Sequence, residues 1–192
     1  MNMTTTTKTE ILFSGDDFIE RKGLYAQIMD DLESYKGKWS RQGFWAMVVY
    51  RFGRWRYTFK SSLIRKPLSF LYKILFKSVQ ILTGIELPCE VKLGKNFRID
   101  HFGGIIVSGF ASLGDNCVIR NGVTIGLRHI HQPLAPRIGN NVDIGAGAKI
   151  LGDISIGNNV LIGANAVVIK DVPSNSVAVG VPARIIKRRN RV

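Results

Sequence analysis

Three histidines, His101, His129 and His131, are the side chains of this sequence that are best suited to proton transfer at neutral pH. A neutral imidazole can remove the proton of a hydroxyl group while that group attacks an electrophile, which is the task of a general base. His101 stands in the segment Ile99–Val107, directly after Asp100 and two residues before a Gly-Gly pair. A carboxylate would steady such an imidazole, but Asp100, as its strand neighbour, should point to the opposite face.

A metal site is a second use of such residues, and the spacing argues against it. His129 and His131 are two positions apart, and no third ligand stands near them. Cys89 and Cys117 lack metal-ligand spacing and follow no secretory signal, so we interpret both as small buried residues of a reduced compartment. The sequence therefore predicts no metal cofactor and a cytoplasmic location.

A six-residue repeat organises the chain from about Leu87 to Val172. Aliphatic residues recur every six positions, and a second small or aliphatic residue follows each of them four positions later. The same step is present upstream, and its frame slips by two between Ile105 and Val107. The downstream positions that obey the rule are Ile138, Ile144, Ile150, Ile156, Ile162 and Val168, followed by Val142, Ala148, Ile154, Val160, Ala166 and Val172.

A period of six does not fit an α-helix of 3.6 residues per turn, but it fits a short strand that ends in a Gly-Asn or Gly-Asp turn. Three such strands close one triangular coil of about 18 residues, and successive coils pair as parallel strands with stacked aliphatic ladders. None of the ladder positions is charged. The sequence therefore predicts a mostly β fold, a parallel β-helix, interrupted by the excursion Leu127–Arg137 where we expect the acceptor to enter.

The residues before the repeat are predicted to be helical. Loose helical periods over Asp16–Ser34 and Ser40–Phe59 predict two helices, and an apolar stripe after Pro67 predicts a third, amphipathic one. This stripe consists of Leu68, Leu71, Tyr72, Leu75, Val79 and Leu82. The predicted layout is a disordered N terminus over 1–15, a helical region over 16–84, the β-helix over 85–183 and a basic C-terminal tail over 184–192.

The net charge of +13 is concentrated in part in the segment 41–82, which holds nine Lys and Arg residues and no acid. Such a charge fits nucleic acid, an anionic membrane or a phosphorylated ligand. No nucleic-acid module signature accompanies the tryptophans of this segment, and no run of 18 apolar residues could span a membrane. We expect the stripe of the third helix to pack on neighbouring helices or another subunit. Peripheral contact of 41–82 with the inner face of the membrane is the alternative.

The run IGAGAKILGDISIGNNVLIGANAVV and the closing VPSNSVAVGVPARII resemble the hexapeptide-repeat acyltransferases, and most of all their serine O-acetyltransferase branch. The resemblance covers roughly residues 86–187. It implies a left-handed coil, acetyl-CoA as co-substrate, and a homotrimer with active sites between subunits. It also implies that His101, in the matching Asp-His-x-x-Gly segment, is the catalytic base that activates a hydroxyl toward the thioester.

The same resemblance implies further site residues. The family's dyad acid lies fifteen residues before its histidine, where this sequence has Glu86 in place of the branch's Asp, and we prefer Glu86 to Asp100 as the partner of His101. For Lys187, a solvated tail is the alternative to a phosphate contact. The residues that match the acetyl-CoA groove are Gly126 near the thioester, Ala146, Gly147 and Ala164 along the pantetheine arm, and Lys170, Arg184 and Lys187 at the nucleotide phosphates.

The excursion Leu127–Arg137 is interpreted as the acceptor loop, with Arg128, His129 and His131 as binding residues. Ala135 occupies the place of a histidine that helps to hold the amino acid's carboxylate in the serine branch. That loss, the short helical region, and the likeness of YRFGRW and HFGGIIV to polysaccharide-cluster enzymes favour an O-acetyltransferase acting on a sugar hydroxyl in capsule or exopolysaccharide biosynthesis. The alternatives are serine O-acetyltransferase of cysteine biosynthesis and a non-catalytic trimeric β-helix scaffold.

Overall fold

The computed structural model describes residues 23–129 and 134–187. Three helices come first: α1 (Leu24–Ser34), α2 (Gln42–Trp55), which continues into a 3-10 turn over Arg56–Thr58, and α3 (Ser62–Thr83). The strands that follow are β1 (Ile85–Glu86), β2 (Lys92–Leu93), β3 (Arg98–Asp100), β4 (Ile105–Val107), β5 (Ser112–Leu113), β6 (Val118–Arg120), β7 (Thr124–Gly126), β8 (Arg137–Ile138), β9 (Asp143–Ile144), β10 (Lys149–Leu151), β11 (Ser155–Ile156), β12 (Leu161–Ile162), β13 (Val167–Val168), β14 (Ser176–Val179) and β15 (Arg184–Lys187).

Every third strand pairs with its predecessor, so the strands form three parallel sheets that are the faces of a triangular prism. Sheet A contains β1, β4, β7, β10 and β13; sheet B contains β2, β5, β8 and β11; sheet C contains β3, β6, β9, β12 and β14. All twelve ladder residues from Ile138 to Val172 are at most 6% exposed. The predicted fold class, a parallel β-helix behind an N-terminal helical region, is confirmed.

The strand register gives the length of each coil and locates the irregularities. Asp143 pairs with Leu161, 18 residues on, as the repeat predicts. Asp100 pairs with Arg120, 20 residues on, whereas Ile106 pairs with Thr124, 18 residues on. Two extra residues therefore lie in the corner between β3 and β4. The predicted frame slip between Ile105 and Val107 is wrong in position, because both residues point inward from the single strand β4 and the insertion precedes them.

Asparagines fix the corner at which sheet B turns into sheet C. Five of them adopt the left-handed backbone conformation, with φ between 54° and 59°, which Asn tolerates better than most residues. Their side-chain amides form a ladder in which each Nδ2 donates to the Oδ1 of the next coil at 2.9–3.0 Å. The ladder thus ties one corner of every coil to its neighbours. Its members are Asn96, Asn116, Asn141, Asn159 and Asn175.

Helix α2 closes the N-terminal end of the β-helix. Its Tyr50 hydroxyl donates to the Val91 carbonyl at 2.9 Å, and a Cβ on Gly43 would lie 2.4 Å from the Ile99 carbonyl oxygen. Such close approach leaves no room for any side chain at position 43. A buried ion pair joins α2 to α1, in which Arg51 binds both carboxylate oxygens of Asp31 at 2.8 and 3.0 Å.

The helix boundaries differ from the prediction in two places. The proposed cap of the first helix at Asp16 or Asp17 lies outside the described residues. Helix α3 begins at Ser62 rather than after Pro67, because proline's fixed φ is compatible with a helix. The carbonyl that Pro67 leaves without a donor belongs to Leu63, which is 84% exposed, so water can replace that donor. The predicted domain boundary near 83–86 agrees with the helix end at Thr83, where Gly84 has a φ of 65°.

The last described strand takes up the start of the segment predicted as a basic tail. After β14 the chain reverses direction, and Arg184–Lys187 pairs with β14 as the antiparallel strand β15. Because β14 is the last parallel strand of sheet C, its outer edge is free to accept this pairing. The remainder of the predicted tail and the predicted disordered segment 1–15 lie outside the described residues. Both cysteines are free and buried, and burial raises the pKa of the Cys117 thiol to about 11.

The Arg51–Asp31 pair generates a stability prediction. Burial raises the pKa of the Asp31 carboxyl, while Arg51 opposes that rise. Replacing Arg51 by Met should destabilise the protein by about 3–5 kcal/mol, because it leaves an unpaired buried carboxylate. The raised pKa means that the loss should be larger at about pH 8 than at about pH 5, where the carboxyl can bind a proton.

Urea unfolding followed by circular dichroism measures this effect. The double variant Arg51→Met with Asp31→Leu should recover most of the lost stability, because no charge remains buried. The exposed pair Arg98–Asp100 is a matched control, and Arg98→Met should cost less than about 1 kcal/mol. An Arg51→Met loss that is independent of pH would contradict this account.

Candidate active site

His101 occupies the corner at which sheet C turns into sheet A. It is the first residue after β3 and has a φ of 66°, so its backbone leaves the strand in the left-handed conformation. The two extra residues of this coil lie in the same corner, and Gly103 and Gly104 follow with φ of 99° and 65°. The His101 side chain is exposed and takes part in none of the hydrogen bonds or ion pairs among the described residues. Its imidazole is therefore free to meet a ligand.

Glu86 lies one coil away from His101 at the start of sheet A. It is half-buried on β1, pairs with Ile106 of β4, and accepts a hydrogen bond from Gln80 Nε2 of α3 at 2.8 Å. Two residues earlier, Gly84 sits against the His101 corner, since an added Cβ would lie 3.1 Å from the Gly103 Cα. The structure thus brings Glu86 and His101 to neighbouring coils of one corner, without a direct hydrogen bond between them.

Asp100 has a different environment from the one that a partner of His101 needs. Its carboxylate accepts a hydrogen bond from Arg98 Nη2 at 3.0 Å, and Arg120 is its register neighbour on sheet C. Arg120 in turn binds Asp143, and the pKa of Arg120 is raised chiefly by this hydrogen bond. Opposite charges therefore alternate down the outer surface of sheet C. Sequence reasoning missed Arg98, Arg120 and Asp143, although their spacing by one coil length was a usable signal.

Small residues continue the His101 corner down the prism. The Gly122 N–H donates to the Gly103 carbonyl, the Gly147 N–H to the Asn121 carbonyl and the Asn165 N–H to the Ala146 carbonyl, each at 2.8 Å. Ala146 is half-buried and Ala164, one coil further, is exposed. The corner is therefore a narrow edge along which an extended ligand can contact backbone. We call this edge the small-residue corner, defined by Gly103, Asn121, Gly122, Ala146, Gly147, Ala164 and Asn165.

Of the three predicted phosphate contacts, Arg184 extends the small-residue corner. It pairs with Val179, whose side chain lies against Gly163, directly before Ala164. From the level of Gly103 to that of Arg184 there are four coil steps, which span about 19 Å at about 4.8 Å per step. An extended chain with an anionic end can lie along such a distance.

The other predicted cofactor residues are placed elsewhere in the same chain. Lys170 is exposed beyond the end of β13, where sheet A turns toward sheet B. Lys187 pairs with Ser176, at the end of β14 that lies next to the asparagine corner. Gly126 ends β7 and pairs with Leu151, again at the corner between sheets A and B. Within one chain, these three residues are not brought together with His101.

The acceptor loop leaves the prism at the corner between sheets A and B. A cavity of about 220 Å³ lies there, lined by Arg128, His129, Leu134, Gly152 and Asp153. The Asp153 carboxylate also binds Arg137 at 2.7 Å. The cavity therefore offers cationic groups on the loop and a carboxylate on the adjacent coil.

Two predictions about this loop have specific outcomes. His131 lies outside the described residues, and Ala135 is buried. Within 23–129 and 134–187, no group of three His, Cys, Asp or Glu side chains is arranged to hold a metal ion.

Family models match the repeat region of the chain. The model described as bacterial transferase hexapeptide (six repeats) matches residues 135–170. The model described as hexapeptide repeat of succinyl-transferase matches residues 111–126.

Relatives extend the likeness to the helical region. A serine acetyltransferase of Synechococcus elongatus is 41% identical over 153 residues, which are 76% of this chain and 57% of that protein. One of Helicobacter pylori is 33% identical over 167 residues, 84% of this chain and 94% of that protein. The chain spans between about half and two thirds of several other curated relatives that it matches. A solved serine acetyltransferase in complex with CoA matches with a TM-score of 0.72 and 26% identity, over 89% of this chain and 73% of that chain.

These relatives overturn the expectation of a sugar acceptor and of a role in polysaccharide biosynthesis. That expectation relied on the short helical region, yet the match covers 94% of the Helicobacter serine acetyltransferase, so such an enzyme can be as short as this chain. It relied also on Ala135, which is buried and cannot present any side chain to an acceptor. The loss of one histidine therefore leaves acceptor recognition to other residues of the loop.

The small-residue corner generates a binding prediction. Replacing Ala164 by Tyr should weaken the binding of CoA by about ten- to a hundred-fold, because the bulky ring fills the edge along which the arm would lie. Titration calorimetry with CoA measures this change. Lys95→Tyr, which adds the same ring near the asparagine corner, is the control and should leave the affinity unaltered. Unchanged CoA affinity in Ala164→Tyr would place the cofactor on another part of the surface.

Proposed function

Because the chain belongs to the serine acetyltransferase branch of the hexapeptide-repeat acyltransferases, we propose that it transfers the acetyl group of acetyl-CoA to the hydroxyl of L-serine. The names of its relatives support serine as acceptor, and the CoA complex among similar structures supports the donor. The observation that carries the proposal is the position of His101. A free, exposed imidazole stands at the head of a column of small residues that ends at Arg184.

The chemistry follows from this arrangement. The His101 imidazole removes the proton of the serine hydroxyl as its oxygen attacks the thioester carbonyl, and a C–O bond forms. The tetrahedral intermediate then collapses, the C–S bond breaks, and the CoA sulfur leaves as a thiolate that takes the proton back from the imidazolium. The products are O-acetylserine and CoA. General base catalysis of this kind contributes about 10²- to 10⁴-fold to the rate.

Glu86 is the proposed positioning residue for His101. Its strand lies on the coil next to the His101 corner, and Gln80 holds one of its carboxylate oxygens and leaves the other available. Asp100 is less suited to this task, because its carboxylate is already bound by Arg98. A carboxylate near the imidazole would fix the ring's tautomer and stabilise the imidazolium.

The acceptor site requires a second chain. His101 and the acceptor cavity lie on different corners of the same prism, so one chain cannot bring them together. In a closed ring of three copies, the His101 corner of one chain can face the acceptor loop of the next. There, Arg128 would bind the α-carboxylate of serine and Asp153 its α-ammonium group, a pairing that suits a zwitterion.

The central prediction concerns the reaction itself. Purified protein given acetyl-CoA and L-serine should release free thiol, and His101→Ala should lower kcat by about 10²- to 10⁴-fold with an unchanged unfolding midpoint. Acetyl-CoA at about 100 times its Kd should stabilise both proteins by about 2.7 kcal/mol. A wild-type protein with neither thiol release nor stabilisation would be a scaffold, and the proposal would fail. Full activity in His101→Ala would remove the general base.

Two arginines should separate the two substrates. Arg128→Gln should raise the KM for L-serine by about 10- to 100-fold, because a charge-assisted hydrogen bond to the carboxylate is lost, and should leave the KM for acetyl-CoA unchanged. Arg184→Gln is the matched control, with the opposite pattern. Mixed oligomers of His101→Ala and Arg128→Gln should recover activity, since some junctions then contain both intact residues. No recovery after verified subunit exchange would contradict a site shared between chains.

A further inference from the structure

Helix α3 presents a large apolar face to the outside of the described structure. Its opposite face packs on the core through Tyr72, Leu75, Phe76 and Val79. The predicted stripe is thus confirmed at its centre, but Leu71 and Leu82 lie outside the packed face. The outer face of α3 consists of seven exposed side chains, namely Leu63, Ile64, Phe70, Leu71, Ile74, Ile81 and Leu82.

The exposed side chains form a continuous stripe. At 100° per residue, Leu63, Phe70, Ile74 and Ile81 fall within about 40° of one another around the helix axis. Phe70 is 68% exposed, Ile81 73% and Leu82 78%. The helix has 22 residues and is therefore about 33 Å long. Monomeric proteins rarely leave such a stripe open to water, so a binding partner is expected.

A row of lysines borders this stripe. Lys66, Lys73 and Lys77 follow one another at intervals of seven and four residues, and all three are exposed. Neither α3 nor the preceding sequence back to residue 41 contains an acid. A helix with a wide apolar face and a lysine border is typical of segments that lie in the interface of an anionic membrane.

The helix can lie on a bilayer but not cross it. Among the helices within 23–129 and 134–187, none is long and apolar enough to span a membrane. The core-facing half of α3 is also already engaged with α2 and β1. Insertion to the depth of the outer face alone is therefore the geometry that the fold permits.

Charge distinguishes a lipid surface from a second copy of this chain. Two copies that paired through the outer faces of α3 would bring their lysine rows close together, and neither helix carries a carboxylate to neutralise them. An anionic bilayer supplies both the apolar phase for the stripe and the negative charge for the lysines. We infer that the outer face of α3 binds the surface of an anionic lipid bilayer.

Vesicle binding tests this inference independently of acetyl transfer. The full chain should sediment with mixed phosphatidylcholine and phosphatidylglycerol vesicles, and much less with phosphatidylcholine alone. Added salt should weaken the binding, because it screens the lysines. Equal binding to both vesicle types would overturn the inference. Absence of binding, with light scattering showing that Phe70→Ser lowers the oligomeric mass, would instead assign this face to a second copy.

Matched variants separate the apolar and the charged contributions. The triple variant Phe70→Ser, Ile74→Ser, Ile81→Ser should lose vesicle binding. The double variant Lys66→Gln, Lys73→Gln should bind about 30-fold more weakly. Lys38→Gln with Lys95→Gln removes the same charge elsewhere and should retain binding within about threefold. Equal losses in the two lysine pairs would show that only net charge matters and would refute a site on α3. The unfolding midpoint of each variant verifies its fold.

Discussion

The β-helix depends on the stacking of inward aliphatic side chains from one coil onto the next. Ile138, Ile144 and Ile150, one from each face, are all fully buried, and each lies over its equivalent in the neighbouring coils. A parallel solenoid has no other core, so every coil must keep its inward residues in register. Extra residues can then leave the prism only at its corners. This constraint decides where the protein carries its chemistry.

The three corners have correspondingly different uses. The asparagine ladder closes the corner between sheets B and C, and its side-chain amides are committed to one another. The corner between sheets C and A is narrow, except at His101, where two extra residues enlarge the turn. The corner between sheets A and B releases the acceptor loop, which adds seven residues to its coil, as the pairing of Leu113 with Ile138 shows. A single prism therefore separates the proposed base from the proposed acceptor pocket, and a shared site between chains follows.

The helices serve a different purpose from the coils. Helix α2 closes the end of the solenoid and covers inward residues that would otherwise meet water, with Arg51 and Asp31 joining it to α1. Helix α3 uses only half of its surface for this packing. Its termination at Gly84 also leads the chain directly into the His101 corner. Core, active-site corner and exposed apolar face are thus connected within a few residues.

Local periodicity was sufficient to predict the fold, because inward positions such as Ile156 and Ile162 repeat at a fixed interval that needs no long-range information. The resemblance carried by the Asp-His-x-x-Gly segment indicated His101 in the same way. The sequence could not show which residues share a corner, since that depends on the register between coils and therefore on the exact length of each insertion. Only the tertiary structure placed Arg184 beside Ala164 and Lys187 away from it. For the same reason, it was the structure that committed Asp100 to Arg98 and left the His101 imidazole free.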